Sequence, residues 1–327
     1  MKKLAICLGA PALLAASISA CFAQSAGGAA GYPNKPIRIV IALAPGGGVD
    51  TSGRMLGQKF TDAWGHQSVS ENRPGAGGTI ATELVARSTP DGYTLLMQSM
   101  SHVITPALYK LSYDTIKDFA PISLFVQSPS VLAVHPSLPA KNVKELIAFT
   151  KARPNQILFS SSGNGSGQHL AMELMNRMAG IELVHVPYKG TSPSIVDLVG
   201  GRVSVTVASA ISTMPNVRSG RLRALAVAAA KRSPSVPDLP TIAEAALPGY
   251  ALDQWYALFA PAGTPREIVA KLHGEIAKTV AQPESRERLL AMGLDPVGSS
   301  PDEFAAYLKT ETVKWGKLVR EAGIKAN

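Results

Sequence analysis

Short apolar runs alternate with helix-start signals along most of this 327-residue chain. The run at residues 37–43 is almost continuously apolar and rich in β-branched side chains, which is typical of a strand buried in a parallel sheet. Strands that alternate with helices predict an α/β fold with mainly parallel sheets flanked by helices. Further strands are predicted at residues 93–98, 122–126, 131–135, 157–160, 183–186, 203–208, 222–228 and 255–260.

Three helix starts share one capping signature. Thr241, Thr264 and Ser300 are each followed by a Glu three residues later, and the last two also by a Pro at the next position. This pattern predicts an N-cap hydroxyl with a reciprocal Glu, a capping box. A chain of this length holds one large domain or two ordinary ones, and its length favours two lobes.

Both cysteines, Cys7 and Cys21, lie within the first 21 residues. The rest of the chain therefore contains no thiol for a disulfide framework, a catalytic cysteine or a cysteine-ligated metal. A basic start, a short apolar core and Ala23 at the cleavage position predict a signal peptide over residues 1–23, followed by a flexible spacer over 24–31. The alternative is a lipoprotein signal in which Cys21 is lipidated. Both alternatives predict a periplasmic protein.

The formal net charge is +9, but no run of four or more Lys or Arg occurs and aromatic residues make up only 6% of the chain. This pattern argues against nucleic acid as a partner. The six His are scattered without an HExxH or HxH pairing, so no metal site is predicted. Neither a P-loop nor a dinucleotide-binding fingerprint is present, and no cofactor is expected.

A glycine run, Gly46 to Gly48, follows the first strand and precedes a predicted helix that extends to about residue 60. Successive glycines allow backbone N–H groups to approach a ligand closely, and the helix start adds a partial positive charge. A carboxylate or a phosphate suits such a site. The alternative is a tight turn without a ligand.

A second loop of this kind follows the strand at 157–160. It is rich in hydroxyls and glycines, and Ser166 is a predicted N-cap for a helix at 170–178. Two donor-rich loops that each follow a strand and open a helix are what a clamp around a carboxylate requires. A third glycine-rich segment at 71–79 contains Arg73, and it is equally well explained as a plain turn. An exported enzyme that uses Ser166 with His169 or Lys189 is a rival interpretation.

Eight phrases of the chain together resemble the Bug family, the extracytoplasmic receptors of tripartite tricarboxylate transporters. The resemblance covers residues 32 to 325, and the order of the phrases makes it specific. They are YPNKPIR (32–38), APGGGVD (44–50), ENRPGAGG (71–78), PDGYTLL (90–96), VPYKG (186–190), GRLRALAV (220–227), PTIAEA (240–245) and APAGTP (260–265).

The resemblance implies a two-lobed type II periplasmic-binding-protein fold with two crossover strands, near 127–131 and 249–255. Residues 32–128 plus 250–327 would form the first lobe and residues 129–249 the second. In this family two loops pinch the carboxylate, here residues 44–50 and 161–166. The implied partners are a small aromatic or aliphatic organic acid and the membrane subunits of a transporter, with the receptor itself a monomer. A sensor that signals to a different membrane partner is a further alternative.

The predicted ligand-binding residues come from both loops and from two other strand ends. Many relatives carry an acidic residue after the strand at 203–208, where this chain has Ser209. Such an acid could pair with a ligand amino group, so its replacement argues against amino-acid ligands. The full predicted set is Ala44, Gly46, Gly47, Gly48, Asp50, Ser101, Ser161, Ser162, Gly163, Ser166, His169 and Ser209.

Overall fold

The computed structural model describes residues 31–321 and residue 323. The predicted signal peptide and nearly all of the predicted spacer lie outside these residues. The strands are β1 (Ile37–Ile41), β2 (Ser68–Asn72), β3 (Thr94–Ser99), β4 (Phe119–Ser128), β5 (Ser130–Val134), β6 (Ile157–Ser161), β7 (Leu183–Pro187), β8 (Val205–Ser209), β9 (Arg223–Val227), β10 (Gln254–Pro261) and β11 (Asp295–Pro296).

Helices separate most of these strands. They are α1 (Gly48–Trp64), α2 (Thr79–Ala86), α3 (Ser101–Leu108), α4 (Val143–Lys151), α5 (Gly167–Ala179), α6 (Thr191–Val199), α7 (Ala210–Arg218), α8 (Ile242–Ala245), α9 (Arg266–Ala281), α10 (Pro283–Ala291) and α11 (Pro301–Glu321). Within the described residues, none of them is both long and apolar enough to cross a membrane.

The strands form two sheets that share one five-strand arrangement, and the first sheet has β11 as an additional edge strand. The first has the order β11-β4-β10-β3-β1-β2, and the second has the order β7-β6-β8-β5-β9. Three strands of each sheet, β1 to β3 and β6 to β8, pair in parallel, whereas one inserted strand, β10 or β5, runs antiparallel to both of its neighbours. The two-residue β11 pairs antiparallel with β4. The prediction of mainly parallel sheets flanked by helices is confirmed.

The chain crosses between the sheets twice. It leaves the first sheet at the end of β4 and enters the second at β5 one residue later; it returns between β9 and β10. Each inserted antiparallel strand is the first one after a crossing, which gives both lobes the same topology. Buried side chains of both lobes, such as Leu96 and Phe159, share one hydrophobic cluster. The residue limits of the lobes stay a prediction.

Two of the three predicted capping boxes are present. The Thr241 side chain accepts from the Glu244 N–H while Glu244 reaches back to the Thr241 N–H, and Ser300 and Glu303 make the same reciprocal pair. The prediction for Thr264 is wrong, because α9 starts one residue later with Pro265 at the N-cap. The Thr264 hydroxyl instead donates to the Pro261 carbonyl and closes the turn after β10.

Candidate ligand-binding site

The two predicted loops face each other across the cleft between the lobes. We call residues 44–50 the first loop and residues 161–166 the second loop. Between them lies an inner cavity of about 20 Å³, which holds roughly one water molecule. It lies beside an outer cavity of about 430 Å³, within the size range of small-molecule sites. Ser192 on α6 donates to the Pro45 carbonyl at 3.3 Å, so the lobes touch and the cleft is closed.

Five helices begin at the wall of the inner cavity. Its lining includes the first residues of α1, α3, α5 and α6, and the N-cap residue of α7. The first N–H groups of a helix have no intrahelical partner, and the helix dipole is positive at this end. No Asp, Glu, Lys, Arg or His belongs to the lining of this cavity. The site therefore attracts an anion through backbone dipoles rather than through formal charges.

Gly47 is the N-cap of α1, and its backbone is in an ordinary extended conformation with φ −88°. It lines the inner cavity, and a Cβ at this position would meet only the Ala44 carbonyl oxygen, at 3.8 Å. The helix begins its hydrogen bonding at the Thr51 N–H, which donates to the Gly47 carbonyl. The N–H groups of the three residues before Thr51 have no partner within the helix, and those of Gly48 and Val49, at the cavity wall, are the natural donors to a carboxylate.

Asp50 holds the first loop in shape and does not line either cavity. One carboxylate oxygen accepts from the Gly46 N–H at 2.9 Å. The other accepts from Arg54 Nε and from Asn72 Nδ2, both at 2.9 Å. The Gly46 N–H is thus taken by Asp50 and is not offered to a ligand. Asp50 and Gly46, both in the predicted binding set, therefore stabilise the shape of the first loop and do not line the cavities.

Asp50→Asn should weaken ligand affinity about tenfold, because an amide nitrogen replaces one of the accepting oxygens and faces a donor. Asp50→Glu, which keeps two accepting oxygens on a longer stem, is the comparison variant. Isothermal titration at pH 7 measures both affinities, and thermal melts show whether the variants are folded. An Asp50→Asn protein with wild-type affinity would contradict the role of this carboxylate in shaping the loop.

Gly48 and Tyr256 fit against each other at the base of the site. A Cβ on Gly48 would meet the hydroxyl oxygen of Tyr256 first, and it would lie 2.5 Å from the Cε2 and Cζ atoms of the ring. Tyr256 is 3% exposed, and burial raises the pKa of its phenol. The phenol of β10 therefore lies at the start of α1, and it lines the inner cavity together with Ser209, the N-cap residue of α7.

The second loop contributes Ser162, Gly163 and Ser166 to the outer cavity. The predicted N-cap role of Ser166 is confirmed, since its side chain accepts from the His169 N–H. Two predicted site residues of this region lie behind the loop rather than in the cavity. Ser161 is fully buried, and the imidazole of His169 accepts from the Gly165 N–H at 3.2 Å.

Half of the predicted residues line the inner cavity, and two more line only the outer one. Ser161, His169, Gly46 and Asp50 line neither. The inner group is Ala44, Gly47, Gly48, Ser101, Ser162 and Ser209, and the outer cavity adds Gly163 and Ser166. The sequence reasoning missed several polar lining residues, among them Gln168, Thr191, Gln254 and Tyr256. Thr191 directly follows one of the resemblance phrases, VPYKG, which was a usable signal.

The third glycine-rich segment borders the outer cavity through its backbone at residues 74–77. Its arginine is used elsewhere, because Arg73 forms an ion pair with Glu71. A hydrogen bond from Arg38 and the charge of both arginines lower the pKa of Glu71. Among residues 31–321 and 323, no group of three or more His, Cys, Asp or Glu side chains could hold a metal ion.

Comparison with known proteins identifies the class. Residues 53–324 match the family described as tripartite tricarboxylate transporter family receptor. The chain is 36% identical to protein BugT of Bordetella pertussis over 297 residues, which covers 90% of this chain and 91% of BugT. An R. palustris protein with adipate superimposes with a TM-score of 0.87 at 34% identity, covering 90% of this chain and all of the other. MatC from Rhodopseudomonas palustris with bound malate gives 0.82 at 33% identity, covering 88% and 100% of the two chains.

The two lobes, the paired crossings and the closed cleft are those of a periplasmic binding protein, and these superpositions confirm that fold. The chain belongs to the receptor family of tripartite tricarboxylate transporters. The resemblance to the Bug family is thereby confirmed.

Proposed function

We propose that this protein binds a small organic carboxylate between its lobes and delivers it to the membrane subunits of a tripartite tricarboxylate-type transporter. The observation that carries the proposal is the inner cavity, where helix starts from both lobes converge and no charged side chain lines the wall. Helix starts favour an anion, because their free N–H groups point at the ligand and the helix dipole is positive at this end. Adipate and malate, bound by the two similar R. palustris proteins, are carboxylates of this kind.

The ligand that fits is an organic acid without an amino group. Ser209, at the N-cap of α7, lines the inner cavity with a neutral hydroxyl. Neither cavity has an Asp or Glu in its lining, and Lys189 in the outer cavity would repel an ammonium group. Hydroxyl and amide side chains supply neutral hydrogen-bonding partners for the remainder of the ligand. Aromatic and aliphatic acids both fit this description.

The geometry favours a receptor over an enzyme. The imidazole of His169 contacts the Gly165 N–H rather than the Ser166 hydroxyl, so this pair is not a nucleophile and its base. Ser161 does contact His185, at 2.6 Å, but Ser161 is fully buried and lines neither cavity. Burial also lowers the pKa of His185 to about 3, which makes it a poor base at neutral pH.

The proposal includes the export of the chain and its two-lobed closure. A signal peptide over residues 1–23 would bring the receptor to the periplasm, with lipidation of Cys21 as the alternative. Residues 32–128 with 250–327 and residues 129–249 would move as two lobes about the crossings. Hinge closure of this type is driven by the higher affinity of the ligand for the closed state.

A thermal-shift and calorimetry panel tests the proposal. Adipate, malate and benzoate represent amino-free acids, and glutamate is the matched control with an added ammonium group. At least one amino-free acid should stabilise the protein by about 2.7 kcal/mol at 100 times its Kd, glutamate should not, and no acid should be turned over. X-ray scattering should show a smaller radius of gyration with the bound acid. Binding of glutamate alone, or product formation, would overturn the proposal.

A further inference from the structure

Two stacked histidines lie directly behind the second loop. The rings of His169 on α5 and His185 on β7 are 3.9 Å apart and almost parallel, with 10° between their planes. Phe159 on β6 also stacks against His185, with 4.8 Å between the ring centroids. Neither histidine lines the inner or the outer cavity. The pair can therefore act on a ligand in these cavities only through the loop that it supports.

Each imidazole ring contacts one residue of the second loop through a ring nitrogen. His169 Nδ1 accepts from the Gly165 N–H at 3.2 Å, so this nitrogen is unprotonated. His185 Nε2 lies 2.6 Å from the Ser161 hydroxyl, which itself accepts from the Gly163 N–H at 3.1 Å. When the Ser161 hydroxyl donates to His185, that ring nitrogen is also unprotonated. The two contacts fix both ends of the glycine-rich turn that borders the ligand cavity.

We propose that His169 and His185 are positioning residues of the ligand site: as neutral imidazoles they hold the second loop in its binding geometry, and their protonation releases it. The inference rests on the proposed function, because it concerns the loop that would hold the carboxylate. A proton added to His169 Nδ1 turns it into a donor that faces the Gly165 N–H. A proton added to His185 Nε2 makes the Ser161 hydroxyl accept from this ring and donate to the Gly163 carbonyl, 3.1 Å away, which rearranges the hydrogen bonds of the turn. Two imidazolium rings at stacking distance would also repel each other.

The surroundings keep the pair neutral at ordinary pH. Burial lowers the pKa of His169 to about 4. Burial, and then the charge of His169, lower the pKa of His185 to about 3. Two further titratable groups face the cluster: Glu173 on α5, whose Oε1 is 3.8 Å from His169 Nε2, and Tyr109 beside α3, whose hydroxyl lies 3.5 Å from the Asn164 carbonyl. Burial raises the pKa of Glu173 and of Tyr109.

Paired substitutions separate the accepting nitrogen from the bulk of the ring. The amide of Asn reaches the place of Nδ1, and the amide of Gln reaches the place of Nε2. His169→Asn and His185→Gln therefore keep the acceptor for the loop, whereas His169→Gln and His185→Asn remove it. Hydrogen exchange measured by mass spectrometry on residues 161–169 of the ligand-free protein reports on the loop, and melts confirm that each variant is folded.

The two acceptor-removing variants should exchange about tenfold faster in this segment than their acceptor-keeping partners, the size expected for a buried donor left without an acceptor. Titration with adipate and malate at pH 7 should show the same tenfold difference in affinity. Equal loop protection in all four variants would overturn the proposal. If wild type binds no acid at all but the exchange difference is present, the proposed function fails and the positioning role stands.

Acid provides a readout that a purely structural role would not change. As the pH falls from about 5 to about 3.5, through the pKa of about 4 of His169, wild type should lose affinity for the probe acid more steeply than the double variant His169→Asn with His185→Gln. The double variant binds the same acid, so the protonation of the ligand affects both proteins equally. Glu173→Gln should keep the acid sensitivity of wild type. Identical pH profiles for wild type and the double variant would overturn the proposal.

Discussion

Gly47→Val should weaken the affinity for the bound acid by at least about tenfold and leave the protein folded. Gly47 lines the inner cavity, and its φ of −88° is allowed for every residue type. A Cβ would meet only one atom within 4 Å, the Ala44 carbonyl oxygen, so the added side chain begins without a steric clash at the wall of the cavity. There it would keep a carboxylate away from the first N–H groups of α1, whose hydrogen bonds to an ion are the strong ones.

Calorimetry with the acid that gives the largest thermal shift in the panel measures this effect. Gly77→Val is the matched control in the third glycine-rich segment. Gly77 has φ +67°, and a Cβ there would lie 3.1 Å from Thr105 Cγ2, so valine should reduce stability more than affinity. A folded Gly47→Val protein that binds as tightly as wild type would show that the carboxylate is held elsewhere.

The alternation of strands and helices was readable from the sequence because buried parallel strands are continuously apolar. β1 and β3 were found for this reason. β2 was missed, since its sequence SVSEN is polar: it pairs only with β1 at the edge of the sheet, and most of its residues are partly exposed. An edge strand does not require apolar side chains on both faces, so its sequence lacks the apolar run by which buried strands are predicted.

The loops of the site were predictable and their supports were not. Glycine runs after strands mark the first and second loops, because close backbone approach requires these residues. Tyr256 belongs to an apolar strand whose sequence predicts only a core position. The structure is needed to show that its phenol lies against Gly48. His185 likewise lies 24 residues from Ser161, and the pairing of β6 with β7 brings them together. Contacts between residues this far apart in the sequence depend on which strands pair and in what register, and the local sequence does not specify either.

Gly48→Ala should destabilise the protein by about 3 kcal/mol, the upper end of the cost of an overpacked core. The added methyl would meet the hydroxyl of Tyr256 and lie 2.5 Å from two of its ring atoms, and this side chain on the central strand β10 is only 3% exposed. An exposed side chain could turn away at little cost, whereas a phenol packed in the interior cannot. Urea unfolding at pH 7 measures the change in the free energy of unfolding.

A rescue experiment identifies the cause of this loss. Tyr256→Val removes the ring and should recover about 2 kcal/mol of coupling energy when combined with Gly48→Ala, relative to the sum of the two single changes. Tyr256→Phe should rescue only in part, because it removes the hydroxyl, the atom nearest to the added methyl, and keeps the two obstructing ring carbons. Full recovery in Gly48→Ala with Tyr256→Phe would mean that only the hydroxyl obstructs the methyl. Additive effects in Gly48→Ala with Tyr256→Val would mean that the contact with Gly48 does not set the position of the phenol at the site.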